Sequence, residues 1–205
     1  MRFAPRWLDP AVRAEAAAAF RATGNLRLDG VLADDAVAAL HAAVRELGHP
    51  LIAAAAPDFA YQYGAYVAAP DATCDHAWCQ FGRWWWTEGA ALASEVTGMT
   101  LRPPRDRRIM TTLMQRGGFL DPHNDVDGQR RCAYVLGLSP APWPAEDGGH
   151  LEFLAVEDGR VVVTERRPPG WNTLDLFDVR GAGVLHQVPI ITADVERRAV
   201  TGWWF

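Results

Sequence analysis

Gly117-Gly118-Phe119-Leu120-Asp121-Pro122-His123-Asn124-Asp125 is the stretch on which the reading of the fold turns. Two glycines mark a turn, and the β-prone run after them ends in a histidine and a carboxylate two residues apart. Strand side chains alternate faces, so His123 and Asp125 are predicted to point the same way. Far downstream stands His186, and a third ligand from a distant strand completes one triangular face of a metal. Two neutral imidazoles and one hard anionic oxygen suit Fe(II) and leave the opposite coordination positions open. A His-x-Asp triplet alone recurs by chance, so its weight comes from the sequence on either side.

From Ile109 onward, short β-prone runs alternate with Gly, Pro and Asp turns, at 109–115, 131–138, 150–156, 160–165, 173–177, 183–188 and 197–205. Many short strands at that spacing predict a sandwich or barrel. The first half reads differently. Asp9-Pro10, the alanine-rich run 11–23 and Gly24 form a helix with N-cap, proline start and glycine stop. A strand over 25–31 follows, then a helix capped by Asp34 whose Val37, Leu40, Val44 and Leu47 make one apolar stripe up to Gly48. Residues 49–80 show no clear period, and a third helix is expected over 87–97. With no repeat, linker or composition break, the expectation is one domain over 1–205, mainly β within the α+β class. Helical support over about 1–108 would pack outside a β-core over about 109–205.

Composition narrows the function. The chain has 205 residues, 49% hydrophobic and 22% charged, with a net charge of -5. That balance argues against a nucleic-acid surface, and Arg105-Asp106-Arg107-Arg108 reads as a solvated turn. No run approaches the ~20 apolar residues of a membrane helix, and the start lacks the apolar core of a signal peptide. Three cysteines cannot all pair, so a cytoplasmic location is expected. Cys74-Asp75-His76 with Cys79 hints at zinc, but no second ligand pair follows, and ordinary loop residues are the favoured reading. Every basic residue is arginine, which reads as codon bias in a GC-rich bacterial genome.

The ordered blocks carry a resemblance. The 117–125 stretch is followed by Arg130-Arg131-Cys132-Ala133-Tyr134-Val135-Leu136, by Trp143 and Gly148-Gly149-His150, by Pro169-Gly170-Trp171, by His186, and by Arg197 with Trp203 six residues later. Together they resemble iron(II)/2-oxoglutarate-dependent dioxygenases of the prolyl-4-hydroxylase-like branch, well over 110–205 and loosely over 25–100. The resemblance implies a double-stranded β-helix, a jelly roll with the metal inside its mouth. It also implies His123, Asp125 and His186 as catalytic metal ligands, with Fe(II), the cosubstrate 2-oxoglutarate and O2. The far carboxylate of 2-oxoglutarate needs a fixed cation, and an arginine fork matches a carboxylate bidentately. The family's spacing places that role on Arg197, with Thr201 on the same strand face and Arg198 on the other. Two departures stand out: Gly137 occupies the position where relatives often carry a tyrosine for that carboxylate, and the tyrosine before the glycine turn is also missing.

The function implied is hydroxylation of an unactivated C–H bond, giving succinate and CO2. Asp125 argues against halogenation, which requires a small residue there. The expected substrate is a small molecule such as an amino acid or natural-product intermediate, because no docking module follows the last strand; the chain would act as a monomer or homodimer, without nucleic acid or membrane. The alternatives are a peptidyl prolyl hydroxylase and, in another class, a non-catalytic cupin-like binding module. For substrate contacts the candidates are Arg83, Trp85, Arg116 and Arg131. The aromatic segment 55–90, with Trp84, Trp85 and Trp86, is expected to form part of a lid, at least one tryptophan lining the mouth or a partner surface. His41 and His49 are expected to face solvent, and His150 to be a core or rim histidine.

Overall fold

The computed structural model describes residues 1–57, 59–140, 142–180 and 184–205. Helix α1 (Pro10–Thr23) starts as expected, the Asp9 carboxylate accepting from the Ala11 N–H at 2.8 Å, and stops at left-handed Gly24. Helix α2 spans Asp34–Glu46 and buries Val37, Leu40 and Val44; its cap is Ala33, and Asp34 lies in the first turn, where an acid favours the helix dipole. Strand β1 (Asn25–Asp29) separates them.

The aperiodic segment is not structureless. It forms a hairpin, β2 (Leu51–Ala56) and β3 (Phe59–Ala68), then α3 (Ala77–Trp84). Besides the expected strand near 25–31, observed as β1, this hairpin joins the sheet from the region read mainly as helical support, so the sheet is not confined to 109–205. The others are β4 (Ile109–Met114), β5 (Phe119–His123), β6 (Cys132–Leu138), β7 (Leu151–Glu157), β8 (Arg160–Arg167), β9 (Trp171–Asp178), β10 (His186–Val188) and β11 (Arg197–Trp204). Gly183, the predicted start of the strand through His186, lies outside the described residues.

All of these strands pair antiparallel in one curled sheet ordered β1-β9-β6-β11-β4-β3-β5-β10-β7-β8, with β2 on β3. Its two ends, β1 and β8, are drawn together by charge. Asp175 on β9 accepts two bonds from Arg27 of β1, at 2.9 and 2.8 Å, and one from Arg167 of β8 at 3.1 Å. Arg167 also reaches Asn25 on β1. Asp175 is only 2% exposed, so losing one of its partners would cost on the order of 3–5 kcal/mol.

One sheet face packs on the helices through Tyr134, Leu136, Leu138, Leu174, Leu176 and Trp204. Alternation turns Ala133, Val135 and Phe177 to the inside of the curl. The tryptophan expectation is corrected here. Trp85–Gly89 is a π-type turn between α3 and α4 (Ala90–Thr97), and its wider winding lets consecutive large side chains enter the same core. Trp85 is fully buried against Phe81, Tyr134 and Trp204; Trp86 donates its indole N–H to the Arg107 carbonyl; Trp84 packs on Phe3. The cysteine reading is corrected too. The loop into α3 brings the Cα atoms of Cys74 and Cys79 to 5.9 Å, and the two form a disulfide, leaving Cys132 buried and free. With two of the three paired, cysteine usage no longer speaks for a reducing compartment.

Candidate active site

Inside the curl lies a cavity of about 470 Å3. His123 ends β5 and is the cross-strand partner of His186 on β10, which places the two rings 4.2 Å apart. Asp125 lies just beyond β5 in the following loop and not on the strand itself, yet its carboxylate is 3.7 Å from His123 Nε2 and 3.5 Å from His186 Nε2. One ligand atom from each of the three lies within 4.8 Å of the others, a grouping that could hold a metal ion. The imidazoles are already oriented for it. His123 Nδ1 donates to the Asp121 carbonyl at 2.9 Å and His186 Nδ1 to the Val184 carbonyl at 2.8 Å, which leaves both Nε2 lone pairs facing the cavity. Burial pushes His186 down to about 4, against the pull of Asp125, so its ring is neutral at neutral pH, as a ligand must be.

Deeper in the same cavity is a group of polar atoms without partners. Arg197 is 5% exposed; its Nε has no hydrogen bond and its Nη1 meets only Met114 Sδ at 3.6 Å. Burial holds its pKa down to about 10, partly offset by Asp175. Thr201 Oγ1 and Thr112 Oγ1 are likewise buried and unpartnered, and both residues line this cavity. Register explains the cluster: Arg197, Ala199 and Thr201 on β11 pair with Met114, Thr112 and Met110 on β4, so alternate residues of two neighbouring strands converge. Unpartnered buried donors are costly, and together they make a cradle that an anionic dicarboxylate end would satisfy. The donor set therefore fits Fe(II) and the orphaned atoms fit 2-oxoglutarate.

Thr112, buried with an unpartnered hydroxyl in the cavity lining, was not among the sequence candidates. At Gly137 an added Cβ would lie 2.6 Å from the Gly170 carbonyl and 2.8 Å from Thr173 Oγ1, so no tyrosine fits there. Tyr134 points away into the helical core, as its strand phase requires. Two tyrosines of the cavity come from β3: Tyr61 and Tyr63 line the wall beside Phe59, which packs 5.3 Å from His123. Burial, then the proximity of Tyr61 and Asp125, raises the Tyr63 pKa and keeps its hydroxyl a neutral donor.

The substrate candidates fare worse. Trp85 belongs to the core. Arg83 donates to the Asp71 and Cys74 carbonyls on the outer surface, and Arg116 to the Thr192 carbonyl; neither lines the cavity. Arg131 is exposed, its backbone paired with Trp204, while its neighbour Arg130 turns inward. Arg130 lies 3.6 Å over the Trp203 ring, with Nη1 3.8 Å from Asp125 and Nε 2.8 Å from Asp127. The loop before β6 carries no period from which that phase could be read. The lid expectation splits: Phe59, Tyr61 and Tyr63 border the cavity, Tyr66, Trp78 and Phe81 belong to the core, and Asp58 lies outside the described residues. His150 is buried away from the cavity lining, as expected; His49 is not solvent-facing but bonded to Thr111 Oγ1 at 3.0 Å.

Comparison with known proteins adds a family match and a shared fold. Residues 109–205 match the family model of the 2OG-Fe(II) oxygenase superfamily. Over 89 residues the chain is 35% identical to prolyl 3,4-dihydroxylase OGFOD1 of Ostreococcus tauri, a match covering 40% of this chain and 17% of that protein. The fold is similar to that of a Pseudomonas putida prolyl-4-hydroxylase, with a TM-score of 0.64, 21% identity and coverage of 94% and 97% of the two chains. It is also similar to a 2OG-Fe(II) oxygenase family oxidoreductase of Burkholderia pseudomallei, with a TM-score of 0.68, 15% identity and coverage of 94% and 90%. With the two-histidine, one-carboxylate cluster and the arginine cradle in one cavity of that shared fold, residues 109–205 are similar to the 2OG-Fe(II) oxygenase superfamily.

Proposed function

We propose that the chain hydroxylates an unactivated C–H bond of a small substrate, such as an amino acid or natural-product intermediate. The observation that carries this reading is the convergence, in one cavity, of the His123, Asp125 and His186 ligand atoms with the unpartnered Arg197, Thr112 and Thr201. The first three would hold Fe(II); Arg197, with the two threonine hydroxyls, would hold the far carboxylate of 2-oxoglutarate. When bound, iron, 2-oxoglutarate and O2 supply oxidative decarboxylation to succinate and CO2 and place one oxygen atom on the substrate carbon. The chain's own residues bind, orient and exclude water. Phe59, Tyr61, Tyr63 and Trp203 give the cavity an apolar, aromatic wall, the usual surroundings for a small ligand. Trp203 Nε1, buried and unpartnered, offers one donor to whatever fills it. Arg130 braces the wall at Trp203 and stands beside Asp125.

A second reading, a peptidyl prolyl hydroxylase, is favoured by one feature. The exposed strand β2 pairs Ile52, Ala54 and Ala56 with Tyr63, Tyr61 and Phe59, which extends the cavity wall as an open strip where an extended chain could lie. Anaerobic addition of Fe(II) and 2-oxoglutarate tests the centre: a weak visible charge-transfer band should form and be absent in Asp125→Ala/His186→Ala. Succinate release is then compared between free amino acids and proline-containing peptides. Turnover with peptides alone would overturn the small-substrate reading, and persistence of the band in the double variant would overturn the ligand assignment.

A further inference from the structure

Arg197 and Arg198 are adjacent on β11, and alternation sends the second guanidinium away from the first. On that side is another cavity, of about 400 Å3, lined by His41 and Arg45 of α2, by Pro140, Pro142 and Trp143, and by Val195, Glu196 and Arg198. Arg198 forms its base. It is 9% exposed; Nε and Nη2 donate to Glu196 at 3.2 and 2.8 Å, while Nη1 is buried and has no partner. Arg45, in the last turn of α2, makes no ion pair among the described residues. His41, one helical turn earlier on the same face, packs edge-on to Trp171 at 5.0 Å. Burial, then Arg45 and Arg198, hold its pKa below the ordinary value, so the ring is a neutral hydrogen-bonding group.

Two guanidiniums against the single carboxylate of Glu196 leave one positive charge uncompensated. The facing wall is apolar: two prolines, a valine, and a tryptophan whose indole N–H is already committed to the Gly148 carbonyl at 2.8 Å. A concave site of this size, with an apolar wall and a few convergent polar groups, has the make-up of a small-ligand site. We propose that this cleft binds a small apolar carboxylate, its acid group between Arg45 and Arg198 and its body against Trp143, Pro140 and Pro142. The site is distinct from the metal-type cluster and does not rest on the reaction proposed above.

Titration calorimetry tests it, under anaerobic conditions, on the chain loaded with Fe(II) and 2-oxoglutarate so that the Arg197 cradle of the inner cavity is already occupied. Phenylacetate is the probe and phenylacetamide its uncharged control. Saturable binding of the acid is expected. Removing one charge-assisted hydrogen bond should weaken binding roughly tenfold, both for the amide and for the acid with Arg45→Ala. Arg45→Lys should recover most of the affinity, and Tyr63→Phe, in the inner cavity, should leave it unchanged. Absence of saturable binding, equal affinity for the amide, or full binding by Arg45→Ala overturns the proposal. Loss of binding in Tyr63→Phe places the probe in the inner cavity and overturns it as well.

Discussion

Replacing Arg197 by methionine should affect the empty and the loaded protein in opposite directions. Methionine keeps an unbranched chain of similar shape but removes the charge. In the empty protein Arg197 is a buried cation whose Nε is unpartnered, and burial already holds it down to about 10. Removing such a group relieves a desolvation cost, so stability without 2-oxoglutarate should stay level or rise by about 1 kcal/mol. In the loaded protein the same change strands the cosubstrate carboxylate in a buried cradle. Breaking a buried charge pair costs on the order of 3–5 kcal/mol, which is roughly two to nearly four powers of ten in affinity. The assay is urea unfolding under anaerobic conditions with Fe(II), with and without 2-oxoglutarate. The parent chain should gain about 2.7 kcal/mol at a hundredfold excess over its dissociation constant. Arg197→Met should gain almost nothing at that concentration. Arg198→Met, whose guanidinium binds Glu196 on the other side of the strand, should respond like the parent. Equal stabilisation of Arg197→Met, or loss of the response in Arg198→Met instead, would refute the argument from strand phase.

Thr112→Val and Thr201→Val should each raise the 2-oxoglutarate requirement about fivefold, the worth of one hydrogen bond near 1 kcal/mol, in a succinate-release titration; an unchanged requirement in Thr112→Val would remove it from the cradle. Arg130→Met should raise the substrate KM roughly tenfold while leaving 2-oxoglutarate half-saturation in place, since Arg130 stands at Trp203 and Asp125. The metal-free protein should lose stability on acidification, because His186 takes up a proton near 6.5 when unfolded but only near about 4 when folded. Its contribution is intact above the unfolded value and drains as pH falls towards the folded one, so the gap between parent and His186→Gln should narrow by about 2 kcal/mol between pH 7 and pH 5. Parallel pH curves for the two proteins would contradict that sign.

What was legible in the sequence is what local period and phase can carry. The proposed iron ligands were readable because His123 and Asp125 are close in the chain and the flanking blocks are ordered. Arg197 was readable because the resemblance places a basic residue six positions before Trp203, and strand alternation then sets it apart from Arg198. Thr112 was not, although it is proposed to bear on the same carboxylate. Its place beside Arg197 depends on the register of β11 against β4, a pairing across more than eighty positions that neither strand shows alone. Arg130, not Arg131, lines the cavity, and no period in that loop fixes which of the two turns inward. Trp85 failed for another reason: the π-type turn lets Trp85 and Trp86, consecutive in the chain, both enter the core, and no residue in the run announces it. The β2–β3 hairpin escaped because its alanines have weak β preference and its tyrosines face a cavity instead of a packed core. The closure of the sheet by Arg27, Asp175 and Arg167 joins residues 148 positions apart. Each miss is thus a pairing or a winding set by the tertiary fold. The proposed cradle is one of them: Gly137 has no room for a larger side chain, and Thr112, two strands away from it, would supply a hydroxyl to the cosubstrate carboxylate.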